Sequence, residues 1–456
     1  MAGLNDDTQH RVAIVVSYYI LPAPAVGALR PSNTIDALVA NGWTVVVLTR
    51  HAPSVVDYWR NRHGDRVDVV TVRELPKVLD ALARFRNRLV ERSVPAAAVQ
   101  DPTVADAPTQ KSWLWRRAHS IMWIIDTTKA WAFAVLWRMI FHPQARRAQV
   151  IICSNPPVAQ QLAAATMSRI FRIPYIMDMR DPWLGNFGYM EGIRSRLTDI
   201  VDTAAQKWCA NTSFAVTTAS PGIARGMIAD AHLPESKVHV IYNGYSGQAA
   251  KVSGSMVGRL DMLYAGTIYL NRNPFPLLET VDELLAAGQL DPSLVSITFV
   301  GDCHAYQGVS LADWARPRAI RDVLHIRDTV PRVELESMLA AANIMIVLAQ
   351  KQLGQIPAKC YDFMRLGKES LVVTESDGDT ARIARESRAA VVVDPDSRPA
   401  MRAAILDMYR RYAIDKTGFD FDPAAVARFA SSAQIARFLE LIETRLRGAA
   451  LQADPR

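Results

Sequence analysis

Several residues of this chain are of a type and spacing that can do chemistry. Arg180 and Asp181 follow a short apolar run and precede Pro182, which puts a carboxylate at a strand end. There it can orient or activate a hydroxyl, or offset positive charge on a reacting centre; the alternative is an Arg–Asp pair that only caps the loop. Gly27 closes a loop just ahead of a helical stretch. A residue without Cβ lets backbone approach a phosphate or a sugar, although a turn glycine looks the same in sequence. Arg30, one helical turn further on, faces either such a ligand or solvent. Cys303 and His304 are adjacent but lack further ligands at metal spacing. The four cysteines, Cys153, Cys209, Cys303 and Cys360, are too few and scattered for a disulfide framework or a paired zinc site, so a reducing compartment is expected.

The 456 residues are 50% hydrophobic and 21% charged, which excludes disorder throughout and leaves room for two or three domains. Lys and Arg number 52 against 45 Asp and Glu, a net charge of +7 that favours anionic partners: nucleic acid, nucleotide phosphate or anionic lipid. No helix-turn-helix, zinc-finger or RNA-binding signature stands out, so no nucleic-acid partner is expected. Residues 1–10 have no apolar core, and the stretch 121–141, though mostly apolar, is interrupted by Asp126, Lys129 and Arg138. Each of those ionisable groups costs roughly 2.5–3.5 kcal/mol at bilayer depth. A cytoplasmic protein, at most peripheral on the inner face of a membrane, is the expectation.

Short apolar, β-branched runs alternate with helical spacing along most of the chain. Strands are expected at 11–16, 44–49, 150–153, 175–179, 214–218 and 238–242, with a helix over 31–41 stopped by Gly42. The small-residue stretch 246–257 reads as a linker. Beyond it, strands are expected at 262–265, 296–300, 323–326, 344–348, 371–374 and 390–393. This grammar gives an α/β chain of two doubly wound, Rossmann-like parallel-sheet domains, in which ligands bind outside the carboxyl ends of the strands.

Five segments, in order, carry a resemblance: 18–30, DMRDPW at 178–183, YNGY at 242–245, LYAGTIYLNR at 263–272 and IPAKCYDFMRLG at 356–367. Together they resemble the bacterial GT4-type glycosyltransferases of GT-B fold, over roughly residues 11–445. The resemblance implies two domains facing across a cleft: an N-terminal acceptor domain (1–247) with an insertion at about 79–141, and a C-terminal nucleotide-sugar domain (258–423). A helix at 424–447 would cross back onto the first. It also implies retaining transfer of a sugar from a nucleotide-diphosphate donor, UDP-sugar favoured, with no cofactor and no metal.

Site residues follow from the same resemblance. Gly266 and Thr267 follow the first strand of the second domain, and Arg272 lies six past that glycine; similar proteins often carry a cation at both the Thr267 and the Arg272 positions to hold the donor diphosphate. One cation is therefore missing, and Lys359 is the candidate replacement. Asp362 matches the acid that hydrogen-bonds the ribose hydroxyls, while the glutamate often found eight positions earlier is Gly354 here. Backbone N–H groups of Gly354, Gln355 and Ile356 would then meet the donor sugar or a phosphate, and Gly301, Asp302 and Val330 would wrap the nucleobase. Arg272, Arg180 and Asp181 are the catalytic candidates.

Residues 79–92 are arginine-rich, and 113–141 hold five of the ten tryptophans: Trp113, Trp115, Trp123, Trp131 and Trp137. With Arg116, Arg117 and Arg138 these suggest an anionic membrane surface as partner, a buried core helix being the alternative. The acceptor expected is a polysaccharide or a lipid-linked oligosaccharide. Two other functions fit the sequence: an epimerase of the same fold acting on the nucleotide sugar, and a non-catalytic nucleotide-binding relative.

Overall fold

A computed structural model of the chain describes residues 11–23, 25–73, 128–184, 196–251, 257–269 and 271–453. The chain divides into two compact units. The first holds the chain up to Thr218, then Gly226–His239 and the stretch from Leu441 onward; the second holds Ala219–Arg225 and Val240–Glu440.

In the first unit the strands are β1 (Val12–Val16), β2 (Thr44–Arg50), β3 (Val67–Val72), β4 (Ala148–Asn155), β5 (Tyr175–Met179), β6 (Ala215–Thr218) and β7 (Val238–Val240), in sheet order β3-β2-β1-β4-β5-β6-β7. β1 pairs in parallel with β2 and β4. Every residue of β1 and β5 is buried, as a parallel sheet covered on both faces requires. The covering helices include α1 (Leu29–Ala40), α2 (Val55–His63), α3 (Lys129–Ile140), α4 (Ala159–Phe171), α5 (Arg196–Thr212) and α6 (Pro221–Ala231). β3 was not expected from sequence: it is the edge strand and only its two end residues are buried, so its pattern is broken by Asp68 and Thr71.

The second unit carries β8 (Leu260–Ala265), β9 (Val295–Val300), a hairpin of β10 (Ala305–Tyr306) and β11 (Val309–Ser310), then β12 (Leu324–Arg327), β13 (Ile344–Leu348), β14 (Glu369–Val373) and β15 (Ala390–Val393). Its six-stranded sheet runs β12-β9-β8-β13-β14-β15. The helices are α7 (Phe275–Ala286), α8 (Leu311–Ala315), α9 (Arg332–Ala341), α10 (Ala358–Arg365), α11 (Asp379–Ser387), α12 (Arg398–Tyr409) and α13 (Pro423–Ala427), followed by α14 (Ser431–Ala453). The single terminal helix expected from 424 is therefore two. Between them Phe429 is buried, its carbonyl accepts from Tyr245 N–H at 3.1 Å, and Ser431 N–H returns a 2.8 Å bond to Tyr245. Gly244 permits that approach, since a Cβ there would lie 2.6 Å from the Phe429 carbonyl. Ties of this kind place 242–245 in the second unit, ahead of the small-residue stretch.

The apolar region before β4 needs a correction. Trp131 is fully buried, edge-on to Tyr18 at 4.9 Å, with its indole N–H on the Val72 carbonyl at 3.2 Å; it is core and no membrane anchor. Trp137 is 58% exposed on the other face of α3. Trp113, Trp115, Trp123, Arg116 and Arg117 lie outside the described residues. Among the described residues no helix is long and apolar enough to cross a membrane.

Candidate nucleotide-binding site

The strand order of the second sheet reverses between β8 and β13, and open parallel sheets bind ligands at such a switch point. Gly266 directly follows β8 at φ +134°, a conformation that favours glycine. A Cβ there would lie 3.2 Å from the Lys359 ammonium. Lys359, in the first turn of α10, donates to the Ala265 carbonyl at 2.9 Å and lies 3.9 Å over the Tyr264 ring. One strand away Gly301 turns at φ +120°, and a Cβ on it would meet the Gly266 carbonyl at 2.6 Å. Arg272 closes the loop: Nη1 reaches the Thr267 carbonyl (3.3 Å), Nη2 the Tyr269 hydroxyl (3.0 Å), and the guanidinium stacks 4.2 Å over the Tyr269 ring. Its Nε is buried without an acceptor among the described residues. Burial first, and the Arg272 charge second, hold the Lys359 ammonium down to about 7.

The structure thus brings Gly266, Gly301, Arg272 and Lys359 together, and treats the other candidates differently. Thr267 is exposed, and its carbonyl also accepts from the Tyr264 hydroxyl at 2.8 Å. Asp302 is exposed, its carbonyl holding Ile268 N–H at 2.9 Å. Val330 is half-buried ahead of α9. Gly354 packs backbone to backbone on Gly222, where a Cβ would fall 2.4 Å from the Gly354 Cα, and Ser220 donates to the Gly354 carbonyl. The Gln355 N–H is not open to a ligand, contrary to expectation, because it closes a local turn onto the Gln352 carbonyl at 3.0 Å; Ile356 beside it is half-buried. Asp362 lies on the exposed side of α10, where desolvation raises its carboxyl and Arg365 and Arg332 oppose the rise.

In the first unit the strand order reverses between β1 and β4, and a buried polar network lies beneath that rim. Arg30 forks onto Asp178 at 3.1 and 2.5 Å, and Asp178 also accepts from Ser154 and Thr217, each at 2.7 Å. Arg30 is therefore neither a surface charge nor open to a ligand. Arg180 does not pair with Asp181 as expected. Its guanidinium donates to the carbonyls of Gly27, Asn155 and Pro156. The space beside Gly27 is filled by that guanidinium, 3.1 Å from where its Cβ would be. Arg180 is thus a positioning residue that ties the loop at Gly27 to the one that follows β4. Asp181, half-buried beside it, has its carboxyl raised by burial, with the Arg180 charge opposing.

Residues 27–244 match the glycosyl transferase 4-like domain. That match covers just under half of the chain, and the two parallel-sheet units have the GT-B fold. A comparison with curated proteins finds no match. Among solved structures, sucrose-phosphate synthase from Thermosynechococcus elongatus is 12% identical with a TM-score of 0.57, over 96% of this chain and 100% of that one. Trehalose 6-phosphate synthase from Burkholderia multivorans is 9% identical at 0.57, over 98% and 99%. A glycosyltransferase from Rickettsia africae is 9% identical at 0.53, over 96% and 99%. At such identities these likenesses show the fold.

Sequence reasoning missed Tyr264, whose ring lies under Lys359 but whose position inside an apolar strand looks like core, and Gln350. Gln350 is 4% exposed just past β13; its amide donates to the Asn273 carbonyl at 2.7 Å and its Oε1 is buried without a donor among the described residues. An amide directly after the run 344–349 was the available signal. Cys303 is buried with its thiol pushed up to about 11, mainly by desolvation, while His304 pairs with Asp328 at 2.8 Å.

Proposed function

We propose that this chain transfers a sugar, with retention and without a metal, from a nucleotide-diphosphate donor, UDP-sugar favoured, to a polysaccharide or lipid-linked oligosaccharide acceptor. The observation that carries the reading is the paired cation site at the switch point of the second sheet, where Arg272 and Lys359 meet beside two glycine turns. A diphosphate leaving group needs its growing negative charge held by preorganised donors, and two cations supply that without Mg²⁺. Asp362 is the candidate for the ribose hydroxyls, since a carboxylate accepts two bonds at once. Asp181, with its raised carboxyl, suits an acceptor hydroxyl, and the departing phosphate can take the acceptor proton.

The acceptor reading adds a membrane surface. Phe133, Trp137 and Phe141 are 68%, 58% and 66% exposed at four-residue spacing along and just past α3. Arg73, Arg138 and His51 help line the adjoining groove of ≈ 820 Å³. Aromatic rings flanked by cations suit the headgroup region of an anionic bilayer.

Incubation with a panel of UDP-, GDP-, ADP- and TDP-sugars, with products resolved by mass and stereochemistry, tests the proposal. Sugar transfer or donor hydrolysis is expected with one nucleotide class, weakened at least tenfold by Arg272→Ala and by Asp362→Ala. An epimerised donor would favour the other reading, to which the 8% identical putative UDP-N-acetylglucosamine 2-epimerase from Listeria monocytogenes, at a TM-score of 0.50, gives a structural parallel. If neither substitution weakens nucleotide binding, the site is misassigned.

A further inference from the structure

Lys359 has an unusual surrounding for a cation. An ammonium carries three donors, and among the described residues this one has a single acceptor, the Ala265 carbonyl, with the Tyr264 ring face beneath it. The charged and titratable groups that face it are Arg272 from the loop after β8, Tyr264 from β8 itself, Cys303 from the loop after β9 and Cys360 from its own helix. Neither thiol supplies a counter-charge, since burial pushes Cys303 up to about 11 and Cys360 up to about 12. No carboxylate pairs with Lys359 among the described residues, and the nearest cation repels it. A half-buried amine in that setting, titrating at about 7, is largely neutral at mildly alkaline pH. A dianionic group placed between Lys359 and Arg272 reverses the balance, because an opposite charge at contact distance favours the protonated form.

We propose that a nucleoside diphosphate binds at Gly266, Arg272 and Lys359 together with one proton from solvent, which Lys359 takes up to become the second cation. This rests on reading the site as the diphosphate pocket. The second charge is supplied when the anion arrives, so the empty site does not have to hold two like charges side by side. The neutral amine gains the proton and forms an ammonium; no other bond changes.

The experiment is titration calorimetry of the full chain with UDP, and in parallel GDP and ADP, in buffers of different ionisation enthalpy from about pH 6 to 8.5. Above about pH 7 the terminal phosphate, with a second pKa near 6, no longer titrates. Uptake approaching one proton is expected at about pH 8, falling towards none near pH 6. Over the same range the dissociation constant should rise by up to tenfold per pH unit above 7. Lys359→Arg should bind without proton uptake and without that slope, and Lys359→Met should bind weakly, also without it. Binding of UDP with no proton uptake at about pH 8, or uptake that persists in Lys359→Met, overturns the inference and leaves the pocket standing. Failure of all three nucleotides to bind overturns the pocket and the inference with it.

Discussion

Arg30 and Asp178 make the strongest single statement at the scale of one residue. Both are almost wholly buried, and the carboxylate has its lone pairs filled by a guanidinium fork and two hydroxyls. Removing one partner leaves a buried charge uncompensated, which costs about 3–5 kcal/mol. Arg30→Met and Asp178→Asn should each lower stability by about that amount in urea unfolding, and the double variant by clearly less than the sum; additive losses would show that the pair is not coupled. Lys359 makes an opposite prediction. Its ammonium titrates at about 7 in the folded chain, below the ordinary lysine value of 10.5. Between about pH 7 and 9 the unfolded chain therefore holds a proton that the folded chain lacks, and stability rises with pH through that window. Lys368, lowered to about 8 by burial, adds a slope of the same sign. The urea midpoint should rise from pH 7 to 9 in the wild type and rise less in Lys359→Met; an equal rise in both would show that Lys359 titrates normally. None of this was legible in the sequence, because Arg30, Arg180 and Lys359 are ordinary cations in sequence and take their roles from strands far away in the chain.

Element by element, legibility followed burial. β1 and β13 are buried along their whole length, and continuous apolar runs of that kind were readable as strands; β5 is as buried, with Asp178 the one charge in its apolar run. β3, at the sheet edge, was not, and α3 shows the same limit on one helix. Its two faces are both apolar, so the sequence could not say that Trp131 belongs to the core and Trp137 to the surface. Position against β3 and α4 decides it, and the two tryptophans should behave oppositely. Trp131→Ala removes a fully buried side chain and should cost about 3–5 kcal/mol. The triple variant Phe133→Ser, Trp137→Ser, Phe141→Ser should leave the urea midpoint nearly unchanged and abolish flotation with vesicles rich in anionic lipid. Flotation that survives the triple variant would remove this ridge from any membrane role.

For the molecule as a whole, the sequence carried the architecture because each sheet is laid down by the same repeated unit, an apolar strand followed by a helix, and the parallel order follows from the crossovers. It did not carry where the second unit begins, since that depends on Tyr245 donating its N–H to the Phe429 carbonyl and accepting from Ser431 N–H across nearly two hundred residues. The candidate donor site lies entirely within the second unit: Gly266, Arg272, Gly301 and Lys359 are all on loops or first turns at the carboxyl ends of its strands. Nucleotide binding therefore has a predicted footprint. A ligand at one hundred times its dissociation constant stabilises the state that binds it by about 2.7 kcal/mol, and amides that open locally around the site should exchange correspondingly more slowly. With saturating UDP, hydrogen exchange should slow at 264–273, 299–304 and 350–362, while β1, β4 and β5 of the first unit remain at their unliganded rates. Protection confined to the first unit would mean that the nucleotide is held at the rim near Gly27 and Asp181, and that the Arg272–Lys359 pair serves only the packing of its own loops.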